Sequence, residues 1–194
     1  MDHFERIDGV LHAEDVSLPA IADAVGTPVY VYSQATLQRH ARVFREGLSA
    51  LDDPLIVFAV KANPNLAVLR VLQREGFGAD VVSGGELRRA LAAGISPEKI
   101  VFSGVGKTRA ELELGLDTGI TQFNIESREE GIELAAIAAA RGERARAALR
   151  INPDVDAGTH EKISTGKADN KFGVPLHHAK QAFADLAARD GLQL

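Results

Sequence analysis

The chain has 194 residues, 45% of them hydrophobic and 25% charged, which is the profile of a globular protein able to bury one ordinary core. A formal net charge of −5 argues against nucleic acid or an anionic membrane as the main partner. With no cysteine, disulfides, thiolate catalysis and cysteine-ligated metals are excluded within the chain.

The opening Met1-Asp2-His3-Phe4-Glu5-Arg6 is polar and acidic, unlike a secretory leader. No apolar run approaches membrane-spanning length, so a cytoplasmic, soluble protein is expected. Short β-rich runs then recur at residues 29–32, 55–60, 79–83, 100–103, 121–125 and 147–152. From the second run onward their starts lie 24, 21, 21 and 26 residues apart. Helix-like stretches fill the gaps, among them residues 35–51, 66–75, 86–93 and 129–141. Such spacing suits a strand, a loop, a helix and a return loop, and so predicts parallel strands joined by crossovers.

Three strand-to-helix joints carry the same helix-start signal. Ser83-Gly84-Gly85-Glu86, Thr108-Arg109-Ala110-Glu111 and Ser127-Arg128-Glu129-Glu130 each read S/T-x-x-E. In that pattern a hydroxyl and a carboxylate satisfy amides that the first helical turn leaves unpaired. The pattern is structural, which lowers the catalytic weight of Glu86, Glu111 and Glu130. Gly76, Gly94 and Gly142 mark helix ends in the same frame.

A (β/α)8 barrel and an open doubly wound sheet both fit this rhythm. A dinucleotide site needs a glycine-rich turn after an early strand, but the first two runs lead into Ser33-Gln34-Ala35-Thr36 and Lys61-Ala62-Asn63-Pro64. Gly104-Val105-Gly106-Lys107-Thr108 imitates the end of a P-loop, yet Val101 stands where its first glycine is required. The barrel is therefore favoured. Six strands are visible, and Gly191-Leu192-Gln193-Leu194 reads as the turn into a seventh. A barrel of this class needs eight strands and typically about 250 residues, so a partial barrel is expected.

Barrel chemistry sits where strands end and loops lead into helices. The first candidate is Lys61, which ends the apolar run Leu55-Ile56-Val57-Phe58-Ala59-Val60 just before Asn63-Pro64-Asn65. A desolvated lysine there would be a carbonyl-trapping nucleophile, because burial favours the neutral amine. A strand whose polar end reaches water explains the local pattern equally well. By position the other candidates are Asp80, Ser83, Ser103, Asn124, Glu126, Arg150 and Asn152. Asp80 and Arg150 interrupt apolar runs, which buried charges can do if they pair with each other or with a ligand. Residues 154–173 form a long polar stretch with His160, Ser164-Thr165-Gly166-Lys167 and Asn170-Lys171-Phe172-Gly173, and loops of that length are usually functional or disordered. No His/Asp/Glu spacing suggests a metal, and no Ser-His-Asp arrangement stands out.

At these residues the chain resembles the bacterial diaminopimelate decarboxylases, pyridoxal 5′-phosphate enzymes of the fold-type III, alanine-racemase-like group. The resemblance lies in Phe58-Ala59-Val60-Lys61-Ala62-Asn63, Ala79-Asp80-Val81-Val82-Ser83-Gly84-Gly85-Glu86-Leu87 and Phe102-Ser103-Gly104-Val105-Gly106-Lys107-Thr108. It continues through Phe123-Asn124-Ile125-Glu126-Ser127 and Leu149-Arg150-Ile151-Asn152-Pro153-Asp154 to the stretch from Thr159-His160 to Lys171-Phe172-Gly173. The resemblance implies pyridoxal phosphate as cofactor, joined to Lys61 as a Schiff base, and decarboxylation of meso-diaminopimelate to L-lysine. It also implies that Asp80 lies near the Lys61 amine, that Arg150 lies near the cofactor face, and that the full-length enzyme is a homodimer.

Other parts of the family pattern are missing. Its His-Ile-Gly-Ser motif, glycine-rich phosphate site, ring-pairing glutamate and C-terminal β-domain are not found in this chain. The expectation is therefore an N-terminal portion, inactive alone. Its residues 1–28 would pack with that β-domain, and its residues 29–194 would form an incomplete cofactor-binding barrel. Two other readings stay open: a decarboxylase of another basic amino acid, of ornithine or arginine type, and a non-catalytic pyridoxal phosphate-binding barrel. The latter predicts a complete barrel.

Overall fold

The computed structural model describes residues 2–153 and 172–194. An antiparallel meander opens the chain: β1 (Phe4–Ile7), β2 (Val10–Ala13) and β3 (Val16–Ser17). Ile7 pairs with Val10 across the two-residue turn Asp8-Gly9, whose φ angles of 49° and 81° are both positive. That geometry matches the twist of a hairpin, and Asp-Gly adopts it readily. Ser17 caps α1 (Leu18–Val25) by accepting from the Ala20 amide, and none of the residues of α1 is buried. Glu14 ties the meander to the next helix, accepting from Ser33 Oγ at 2.7 Å and from the Ala35 amide at 2.9 Å.

The rest of the described chain alternates helix and strand. In order come α2 (Gln34–Gly47), β4 (Val57–Ala59), α3 (Leu66–Arg74), β5 (Gly78–Val81), α4 (Gly84–Ala92) and β6 (Ile100–Phe102). Next are α5 (Arg109–Thr118), β7 (Gln122–Ile125), α6 (Arg128–Ala140), β8 (Ala145–Leu149) and β9 (Ile151–Asn152). The series closes with β10 (Val174–Pro175), α7 (Leu176–Ala187) and β11 (Leu192–Gln193). Six strands form one parallel sheet in the order β11-β8-β7-β6-β5-β4, while β9 and β10 make a separate parallel pair. Consecutive helices from α2 to α7 pack against one another. This is the expected partial (β/α)8 architecture.

Side chains alternate across the sheet with period two, and the register keeps each row on one face. Ala79, Ile100, Phe102, Phe123, Ile125 and Ala147 are buried with Leu87, Leu112, Leu134 and Leu186 from the helices. Phe102 and Phe123, directly paired across β6 and β7, stack with ring centroids 6.3 Å apart. Removing a side chain of that size from such a core costs about 3–5 kcal/mol. The opposite face carries Asp80, Gln122, Asn124 and Ala148, all half-buried. One face thus holds the protein together and leaves the other available for polar groups.

Two details differ from expectation. Residues 29–32 form no strand: Val29, Tyr30 and Tyr32 are 43%, 88% and 51% exposed. Their β-propensity reflects fit to a half-buried sheet surface, and no described strand offers them one. The run at 147–152 is split at Arg150, where the chain changes partners. The Arg150 amide still donates to Ile125, whereas its carbonyl accepts from Val174 on the other side. The edges of the main sheet are β4 and β11, the latter being the strand anticipated at the end of the chain.

Candidate active site

Lys61 lies just past β4. Val60–Ala62 make one 3-10 turn, with Val60 fully buried as an anchor and Lys61 exposed. The turn ends because Asn63 accepts from the Asn65 amide at 3.1 Å, and Asn65 in turn caps α3 through the Ala67 amide at 2.8 Å. Each short amide side chain replaces a backbone partner, so strand, turn and helix follow without slack. Lys61 is therefore not the desolvated lysine that its apolar flank suggested. It stands at the edge of the sheet, and among the described residues its amine has neither a hydrogen bond nor an ion pair.

The amine borders a cavity of about 710 Å³. Asp80, Ser103, Asn124 and Arg150 line the same cavity, with Gly104–Gly106 and Phe172. Five sequence candidates thus meet at one place. Asp80 and Arg150 do not pair with each other. Asp80 accepts from Ser103 Oγ at 2.5 Å, Ser103 accepts from Asn124 Nδ2 at 2.9 Å, and Asn124 Oδ1 accepts from Gln122 Nε2 at 2.7 Å. Arg150 Nη1 instead meets Glu126 Oε1 at 3.0 Å, and its guanidinium lies 5.0 Å from the Phe172 ring centroid.

Glu126 is only 5% exposed and does not line this cavity. It supports the wall from behind. Its two oxygens accept from the Gly104 amide at 3.0 Å, the Gly173 amide at 3.1 Å and Arg150. Gly104 and Gly173 have φ angles of 102° and 75°, where a side chain would be strained, so the backbone can turn its amides inward. A buried carboxylate with this many donors is fully compensated.

The remaining candidates are structural. Ser83 caps α4 through the Glu86 amide. Of the three S/T-x-x-E signals only Thr108 and Glu111 are fully reciprocal. Glu86 and Glu130 reach one residue further back, to the amides of Val82 and Glu126. Glu111 also accepts from the Gly84 amide, and that bond, ahead of those from Thr108, holds its carboxyl below the usual range against the pull of burial. The side chain of Lys107, in the P-loop imitation, is fully buried. Its amine donates to the carbonyls of Gly104 and Asn124 at 2.8 Å each and pairs with Glu130 at 2.7 Å. Burial pushes the Glu130 carboxyl up, and the Lys107 charge only partly offsets it. Asn152 is buried, and His160 with the rest of residues 154–171 lies outside the described residues. Gln122 is not among the sequence candidates, and Phe172 is there only as part of Asn170-Lys171-Phe172-Gly173. Period-two alternation does put Gln122 on the Asn124 face, which is the signal that could have found it.

A family model described as the pyridoxal binding domain of pyridoxal-dependent decarboxylases matches residues 34–194. The chain belongs to that family. It is 52% identical to the diaminopimelate decarboxylase of Zymomonas mobilis, over 98% of this chain and 46% of the relative. It is 51% identical to that of Pseudomonas fluorescens, over 100% of this chain and 47% of the relative. The chain therefore spans about half the length of these curated relatives. Among solved structures, the M. jannaschii diaminopimelate decarboxylase in co-complex with L-lysine matches with a TM-score of 0.87 and 36% identity, covering 98% of this chain and 45% of that one. The Helicobacter pylori diaminopimelate decarboxylase complexed with L-lysine matches with a TM-score of 0.85 and 40% identity, over 90% and 44% of the two chains.

The residues present fit the cofactor of this pyridoxal-binding family. An aldehyde calls for an unengaged amine, which Lys61 supplies among the described residues. The cavity beside it has the size usual for small-molecule sites.

Proposed function

We propose that this chain supplies the cofactor site of a decarboxylase that converts meso-diaminopimelate to L-lysine, and that Lys61 is the residue joined to the cofactor aldehyde. The observation that carries the reading is the Lys61 amine, without a partner among the described residues, on one cavity with Asp80 and Arg150. The lysine held by two similar structures supports the substrate assignment. Bound pyridoxal phosphate would supply the electron sink for the pair left behind when the substrate carboxylate departs as carbon dioxide.

This chain's own residues do the rest. Lys61 would hold the cofactor through its amine, which has no other partner among the described residues. Asp80 provides a carboxylate that can take or hold the proton of a nitrogen brought beside it. Arg150 has one guanidinium nitrogen committed to Glu126 and keeps further N–H donors for the cofactor face. The reading includes a homodimeric full-length protein acting in the cytoplasm, and a second domain against which residues 1–28 pack. The unburied α1, with Val25 66% exposed, supports that packing.

The test is to add pyridoxal phosphate to the full-length protein, reduce with borohydride and map the adduct. Label on Lys61, lost in Lys61→Ala, is expected. Label elsewhere with binding retained in the variant would remove Lys61 from its role. Failure of the full-length protein to release lysine from meso-diaminopimelate would remove the substrate assignment.

A further inference from the structure

The polar side chains on the open face of the sheet form one connected series. Gln122 donates to Asn124, Asn124 donates to Ser103, and Ser103 donates to Asp80, at 2.7, 2.9 and 2.5 Å. The series crosses from β7 past the end of β6 to β5, three adjacent strands of the sheet. Every donor in it points the same way, and it ends on a carboxylate oxygen. Hydrogen bonds aligned in this manner polarise one another and strengthen the last bond.

The direction is set by chemistry. A serine hydroxyl has a single hydrogen, so while Asn124 donates to Ser103 that hydrogen is free for Asp80. Were the amides reversed, Asn124 Oδ1 would take the serine hydrogen. Asp80 would then need a proton of its own to keep the contact. Among the described residues only Asp80 Oδ1 is engaged, and none donates to Oδ2. Asp80 and Lys61 lie on the same cavity, and Asp80 pairs in register with Ala59, two residues before Lys61.

We propose that Ser103, aligned by Asn124 and Gln122, is a positioning residue: it pins one oxygen of Asp80 so that the other is presented toward the Lys61 amine for its linkage to the cofactor. This rests on the reading of Lys61 given above. Ser103 touches neither the amine nor the reacting atoms; it acts through Asp80. An oriented acceptor beside the lysine removes a proton from the ammonium, which frees the nitrogen lone pair to form the bond to the aldehyde carbon. The carbonyl oxygen leaves as water with two of the three nitrogen hydrogens, one of them relayed by Asp80, which ends as a carboxylate again.

The experiment measures the rate at which full-length apoprotein forms the lysine-linked cofactor after pyridoxal phosphate is added, followed by absorbance and checked by borohydride mapping. Ser103→Ala is expected to slow the linkage about tenfold, the factor carried by one hydrogen bond to a charged group. Ser103→Thr, which keeps the hydroxyl, should return it to within about twofold, a change within the scatter of a retained hydrogen bond. Asp80→Asn should be at least as slow as Ser103→Ala, and the double variant no slower than Asp80→Asn alone, because both act on one interaction. Thermal unfolding of each apoprotein separates slow linkage from lost fold. Additive effects of the two substitutions, or a wild-type rate in a folded Ser103→Ala, would overturn the proposal. Absence of any Lys61 adduct in the wild type would instead overturn the reading of Lys61.

Discussion

Two lysines stand on strand-to-helix connections of the same sheet, and their fates are opposite. Lys107, between β6 and α5, has a fully buried side chain, with its amine bonded to two carbonyls and to Glu130. Lys61, between β4 and α3, is exposed and without a described partner. The difference comes from the sheet order. β6 has β5 on one side and β7 on the other, so neighbouring loops close over Lys107 and give it acceptors. β4 is an edge, and no described strand pairs beyond it. A lysine whose every hydrogen is used holds a loop in place. One left unpaired on a cavity wall is available for chemistry.

Lys61→Ala should break this comparison most severely. Decarboxylation by the full-length protein is expected to fall by at least about a thousandfold, the scale seen when a covalent nucleophile is removed. The thermal midpoint of the apoprotein should hold, since the side chain bonds to nothing described. A large drop in midpoint would show that Lys61 has a structural task after all. Lys107→Met should behave in reverse, losing about 3–5 kcal/mol of stability because Glu130 is left buried without its counter-charge. Adding Glu130→Gln should recover part of that loss in a denaturant titration, and a further loss would contradict the pairing.

Glu126→Gln probes the support behind the cavity wall. Both carboxylate oxygens accept hydrogen bonds, so an amide must set an N–H against a donor at one of them. A loss of about 1–3 kcal/mol is expected, with weaker cofactor binding by titration. Unchanged affinity would separate the wall from the site.

The smallest effects concern pH. Glu111 is held below the ordinary carboxylate range, so its contribution is complete above that range and is lost as pH falls through the folded value. Glu111→Gln should therefore differ most from wild type near neutrality and converge with it in acid. Glu130 is held above the range, so the wild type loses stability as pH rises from the ordinary range through the raised value. Glu130→Gln should lack that decline. Unfolding midpoints measured across pH check both slopes, and parallel curves would refute the two assignments.

Much of this was legible in the chain itself. The strands after the first expected one follow the alternation of apolar runs and helix-start signals, and Ser83, Thr108 and Ser127 do cap α4, α5 and α6. Residues 29–32 were misleading because β-propensity carries no information about whether a partner strand is at hand. The Asp8-Gly9 hairpin is legible too, from its turn chemistry. Lys61 was identified as a residue, but its environment was not, since an apolar flank does not reveal whether its strand is central or at an edge.

The sequence by itself determined the order of strands and helices, the loop face on which the candidates fall, and the residue types gathered there. These follow from local rules of period, capping and turn chemistry. Only the tertiary structure decided which charges meet. Asp80 on β5 and Arg150 after β8 are separated by three strand spacings, roughly 14 Å at about 4.8 Å each, beyond a direct ion pair. Glu126 follows β7, the neighbour of β8, and so it takes the arginine. Asp80 is left to Ser103 and to the cavity that Lys61 borders.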